Sequence, residues 1–92
     1  MVDYPARFSL GQTVMTRNAH RRLTAQDVFW ALARHQRGDW GDVCQEDWKA
    51  NDWALEHDER LLSAYYAEDG TRFWIITEWD RSVTTVLLPE DY

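Results

Sequence analysis

Cysteine is nearly absent. Cys44 stands alone, which excludes an internal disulfide framework and a thiolate zinc cluster and fits a reducing cytoplasm. No apolar run approaches the roughly 18 residues of a membrane span, and the opening MVDYPARF carries no hydrophobic signal core. The expectation is a cytoplasmic chain without membrane contact. Low-complexity segments and internal repeats are lacking too, and the 92 residues are expected to form one domain over 1–92. Basic residues are outnumbered, ten Lys and Arg against sixteen Asp and Glu, for a net charge of −6. That balance argues against nonspecific duplex binding by the whole domain.

What the chain has in quantity is aromatic bulk. Six Trp, four Tyr and three Phe supply a core without disulfides, since fully burying one large side chain contributes roughly 1.5–3 kcal/mol. The charge is unevenly laid out. Residues 1–37 hold six Arg against Asp3 and Asp27, for +4, and residues 38–92 hold Lys49, Arg60, Arg72 and Arg81 against fourteen acids, for −10. The split favours a protein partner with a basic surface for the acidic part; the plainer reading is solubility.

Secondary structure is clearest at the C-terminal end. Leu61 to Ala67, Arg72 to Glu78 and Val83 to Leu88 are β-branched and aromatic runs separated by turns, which predicts an antiparallel meander. Gly70 supplies the positive φ of the first hairpin. Residues 1–9 read as a loosely held lead-in, and Gln12 to Thr16 as a short strand. After a polar stretch, Thr24 and Asp27 form a capping-box pattern for a helix from Ala25 to about Arg37, stopped by Gly38. Val28, Leu32 and His35 make its core stripe, with Phe29 and Ala31 at the flanks. Asp42 is the expected cap of a second helix from Val43 to Leu55. Cys44, Trp48, Asn51 and Leu55 face inward on it, and Asn51 needs a partner in the Asp39–Asp42 loop. The predicted fold is α+β, two helices on a small antiparallel sheet in the order β-α-α-β-β-β. Trp40, Trp48 and Trp74 are expected in the core. The second sheet face is expected to lie under the N-terminal segment or a second chain.

Catalytic templates fail. Ser63 and Ser82 have no nucleophile elbow, and His20, His35 and His57 lack metalloenzyme spacing. Helix caps and first-turn acids explain Asp39, Asp42, Glu46 and Asp47, so no metal, cofactor or enzyme activity is expected. Two tryptophans fall off the core stripes. Trp30 lies beside Arg34 and Arg37, and Trp53 beside Glu46, Lys49 and Glu56. Exposed aromatics among charges have interface hot-spot composition, although packing on arginine stems is the alternative for Trp30. The expected protein-binding residues are Trp30 and Trp53 with Asp42, Glu46, Asp52, Glu56, Asp58, Glu68 and Asp69.

The string GDWG (38–41), ED (46–47), LLSAY (61–65), WIITE (74–78), DRS (80–82) and TTVLLPEDY (84–92) resembles a family of bacterial proteins of about 90 residues, borne on plasmids and prophages and usually labelled plasmid-related. The resemblance implies an association with mobile elements and no particular activity. On a mobile element, an acidic aromatic-rich domain suits inhibition of a host defence nuclease complex of the CRISPR or restriction type, whose channels are positive. The alternatives are a nucleic-acid-binding accessory protein using Arg17, Arg21, Arg22, Arg34 and Arg37 around Trp30, or a scaffold or antitoxin-like partner that forms a homodimer.

Overall fold

The computed structural model describes residues 5–92, so residues 1–4 of the expected lead-in lie outside it. Its elements are β1 (Gln12–Met15), α1 (Arg17–Arg22), α2 (Ala25–Gln36), α3 (Gln45–Glu56), β2 (Leu61–Tyr66), β3 (Arg72–Thr77) and β4 (Val83–Leu87), closed by a 3-10 turn, Pro89–Asp91. The sheet runs β1-β4-β3-β2. The meander is antiparallel, and β1 joins it in parallel, with Gln12 opposite Val83 and Met15 opposite Val86. This is the expected α+β architecture with one more helix and with a mixed sheet in place of the expected antiparallel one.

The added helix, α1, occupies the polar stretch expected only to lead into the Thr24 cap. Thr16 caps it by accepting from the Ala19 amide at 3.2 Å, and Ala19 alone is buried. Six residues with one inward side chain leave no stripe to read. By contrast, α2 follows its pattern. Thr24 accepts from the Asp27 amide at 3.0 Å, Asp27 accepts from the Thr24 amide at 3.2 Å, and Gly38 ends the helix at φ +87°. Ala31 and His35 are buried, while Phe29 is 64% exposed and no part of the core flank.

Helix α3 starts later than expected, and Asp42 is not its cap. The Asp42 amide donates to the Ala64 carbonyl at 2.7 Å and the Ala64 amide donates to the Trp40 carbonyl at 3.1 Å. The chain at Gly41 thus bridges to β2 as a short parallel addition. Gly41 has φ +77°, and a Cβ there would collide with the Ala64 carbonyl, so only glycine allows the approach. Committed to the sheet edge, this segment cannot wind into the helix. Cys44 becomes the N-cap without a side-chain bond, and it is exposed rather than inward. Asn51 is buried as expected, but its partner is β2: it accepts from the Leu62 amide at 3.1 Å and donates to the Leu62 carbonyl at 2.7 Å.

The helices pack on the sheet face carrying Ser63, Tyr65, Phe73, Ile75, Thr77, Thr84 and Val86. Ala19, Leu23 and Ala31 meet Tyr65, Phe73, Ile75 and Val86 in one cluster, and Trp40, Ala54 and Leu61 form a second. Arg7 and Phe8 are not loose. The Arg7 amide donates to the Gln36 carbonyl, and the Phe8 ring meets His35 and Trp40 with centroids at 5.2 and 6.3 Å. Arg7 and Phe8 therefore lie on the helix face, not on the second face. On the second face Ala64 and Ile76 are buried, and Trp74 is half-buried, edge-on to Tyr92 at 5.8 Å. Of the three tryptophans expected in the core, Trp40 is fully buried; Trp48 and Trp74 are intermediate. Arg81 pins the end of α3 to the β3–β4 turn by donating to the Glu59 and Ala54 carbonyls at 2.6 and 3.2 Å.

Candidate functional site

Under α2 lies a buried polar chain. His35 Nδ1 is 2.6 Å from Ser63 Oγ, His35 Nε2 is 2.8 Å from Thr77 Oγ1, and Thr77 Oγ1 is 2.8 Å from Thr84 Oγ1. Thr84 spends its only hydroxyl proton on the Leu10 carbonyl at 2.7 Å. The direction of every other bond follows. Thr77 donates to Thr84, the imidazole carries its proton on Nε2 and donates to Thr77, and Ser63 donates to Nδ1. Burial, with Arg81 nearby, lowers the His35 pKa to about 3. A serine hydroxyl on a histidine resembles a nucleophile with its base. Here both side chains are fully buried and the far ring nitrogen meets a threonine rather than a carboxylate, so the chain reads as a brace between helix and sheet. Tyr65, whose hydroxyl donates to the Asp39 carbonyl at 2.7 Å, is also buried, and its pKa is raised by desolvation. Among the described residues no group of three His, Cys, Asp or Glu side chains is placed to hold a metal ion.

The surface carries the residues singled out in the sequence. Trp53 is 55% exposed and Trp30 is 58% exposed. Along the outer side of α3, Glu46, Lys49, Trp53 and Glu56 follow one another at helical spacing, and His57 stacks on Trp53 at 4.1 Å between centroids. Glu56 is 4.0 Å from Arg7. Asp58 turns the chain into β2 at φ +54°. All seven acids are exposed, but two of those near α3 already serve the fold. Asp52 accepts from the Trp40 indole at 2.9 Å, and Asp42 pairs with Arg72 at 3.7 Å.

Glu68 and Asp69 do not join this group. They sit at the β2–β3 hairpin tip beside the start of α2, where the Glu68 amide donates to Asp27 at 3.1 Å and Asp69 accepts from the Thr71 amide at 2.9 Å. The Thr71 amide holds the Asp69 carboxyl below the usual carboxylate range. The N-terminal arginines of the sequence reading fall in two places, Arg17, Arg21 and Arg22 on α1 and Arg34 and Arg37 at the end of α2. Arg34 and Arg37 both pair with Asp39, at 2.8 and 3.7 Å, while Arg22 reaches toward Thr71. Trp30 leans edge-on against Phe29, with centroids at 5.6 Å.

Sequence reasoning missed four exposed aromatics, Phe29, Tyr66, Trp79 and Tyr92. It also missed a groove of about 460 Å³ lined by Met15, His20, Leu23, Val28, Phe29 and Leu32. Phe29 stands only one residue from the core stripe, so its pattern was that of a buried flank. Trp79 in a turn next to Asp80 was the readable signal, since turns seldom bury a large ring. Comparison with protein-family models, with curated proteins and with solved structures finds no match.

Proposed function

We propose that this domain acts without catalysis, by docking the outer side of α3 on a basic surface of another protein. The observation that carries the reading is Trp53. A tryptophan more than half exposed, on the same side of α3 as Glu46, Lys49 and Glu56, gives an apolar anchor flanked by exposed carboxylates. Each exposed ion pair contributes only about 0.2–1 kcal/mol, so the charges act together, and chiefly on the rate of encounter. Given the mobile-element context that the family resemblance implies, the proposed target is the nucleic-acid channel of a host defence nuclease, a CRISPR effector or a restriction enzyme. The division of the N-terminal arginines between two helices, with Arg34 and Arg37 paired to Asp39, supports this reading over direct nucleic-acid binding.

The test takes purified effector complexes and restriction enzymes and measures their DNA binding with and without the domain. One of them is expected to lose DNA binding, to regain it when Trp53→Ala is combined with Glu46→Gln and Glu56→Gln, and to associate more slowly as salt rises. If none responds, and the domain itself retards DNA in a gel with steep salt dependence, the docking reading is wrong.

A further inference from the structure

The parallel pairing of β1 with β4 fixes which way each β1 backbone group points. The Gln12 amide donates to the Ser82 carbonyl at 2.9 Å and the Thr16 amide to the Val86 carbonyl at 3.0 Å. Gln12, Val14 and Thr16 therefore bond inward, and Thr13 and Met15 turn their N–H and C=O groups away from the sheet. No described residue takes them. The strand has none of the devices that guard an edge apart from its shortness: no charge, no proline and no bulge in Gln12–Met15, and three of its four residues are exposed.

Beside this edge the sheet's helix face is only partly roofed. The groove there runs from Met15 on β1 to Leu23 of α1 and to Val28, Phe29 and Leu32 of α2, with Phe29 largely in solvent at its rim. A strand added to β1 turns alternate side chains into this groove. Charge narrows the occupant. Among the groove's own residues His20 is the only titratable one, and Arg17 and Arg21 are its neighbours on α1, which has no acid in its first turn. The carboxyls close by are engaged, Asp27 on α2 by the amides of Thr24 and Glu68, and Asp91 by the side chains of Thr16 and Asn18. A second copy pairing edge to edge brings two sets of these cations together, which disfavours self-association.

We propose that β1 and the groove beside it receive an extended segment of a partner protein, apolar at alternate residues and acidic at its flanks, as a fifth strand of the sheet. This surface shares no residue with the α3 flank, so the two are separately testable.

The probe is a phage-displayed library of random twelve-residue peptides, selected on the intact chain, with the winners synthesised. Two variants report on the site. Thr13→Pro removes only an outward N–H, leaving the bonds to β4 in place, and Phe29→Glu puts a charge at the groove rim on a side chain the fold leaves exposed. Enriched peptides are expected to alternate apolar residues with Glu or Asp, and to slow amide exchange at Thr13 and Met15. Either variant is expected to weaken them by about tenfold or more, while Trp53→Ala leaves their binding unchanged. If Thr13→Pro lowers the thermal midpoint, Phe29→Glu alone decides. The proposal is overturned if no peptide is enriched over selection on Phe29→Glu, if enriched peptides leave those amides unprotected, or if light scattering finds a dimer of this chain that Phe29→Glu dissolves.

Discussion

Along β2 the outward backbone groups of Leu62 and Ala64 are all taken, by Asn51 and by the turn from Trp40 to Asp42; along β1 those of Thr13 and Met15 meet no described residue. One edge of the sheet has been closed by side-chain amide and glycine bridge, the other left short and bare. The closed side also holds Trp40, His35 and Phe8 in mutual ring contact, while the open side looks onto a groove. Stability is therefore expected to concentrate at the β2 side and tolerance to change at the β1 side.

The largest test of that contrast is Trp40→Ala. Trp40 is fully buried and its indole N–H is satisfied by Asp52, so truncation is expected to cost about 3–5 kcal/mol, close to the whole stability of many small domains. Chemical denaturation measures it; a variant with a near-normal midpoint breaks the assignment. Trp48 and Trp74, half-buried, are expected to cost less.

Acid is the next probe of the same side. His35 takes up a proton in the unfolded chain below about pH 6.5 but in the fold only near pH 3, so the unfolded state binds more protons between those values. The contribution is complete above pH 6.5 and is lost as pH falls, at up to about 1.4 kcal/mol per unit, on the order of 3 kcal/mol by pH 4.5. The stabilisation from the carboxyls of Asp27, Asp39 and Asp91, whose pKa values are lowered by their hydrogen bonds and ion pairs, is still in place over this range and is lost only at lower pH. Urea midpoints taken between pH 7 and 4.5 check the slope, and a flat profile removes the buried neutral imidazole.

Asn51→Ala tests the edge closure itself. It strands the Leu62 N–H and C=O beneath α3, and about 1–3 kcal/mol is the expected loss, with faster amide exchange at Leu62. The smallest effects belong to exposed groups. Trp30→Ala and Trp53→Ala are each expected to stay within about 0.5 kcal/mol, and iodide is expected to quench both rings in the unmodified protein. A large destabilisation by either shows that the ring packs.

Where neighbours in sequence decide the structure, the sequence was legible. The meander strands, the Thr24–Asp27 box, the Gly38 stop and the outward placement of Trp30 and Trp53 all rest on periodicity or on a cap within four residues. Distant contacts decided the rest. The start of α3 was misplaced because Gly41 bridges to Ala64; Asn51 was assigned the wrong partner because Leu62 reaches it from the next element. Asp52 looked like any surface acid because nothing local announces that Trp40 will lean on it. Of the candidate site, the exposure of the acids was readable, but their division between the α3 flank and the hairpin tip was not. The open edge was hidden for the same reason, since which strand ends unpaired is a property of the whole sheet.

The parallel seating of β1 also has a consequence in time. Gln12 must wait for Val83, and Thr16 and Asn18 for Asp91, whose carboxylate takes a hydrogen bond from each at 2.6 and 2.7 Å. At roughly 5–20 residues per second of synthesis, β1 emerges several seconds before the strand it needs, and the helices between have time to form first. Contacts closed over so long a loop slow the final step, so refolding is expected in milliseconds to seconds rather than microseconds, a range that stopped-flow fluorescence of the tryptophans resolves. The bare strand is the last to be seated, and the newborn chain carries it unpaired.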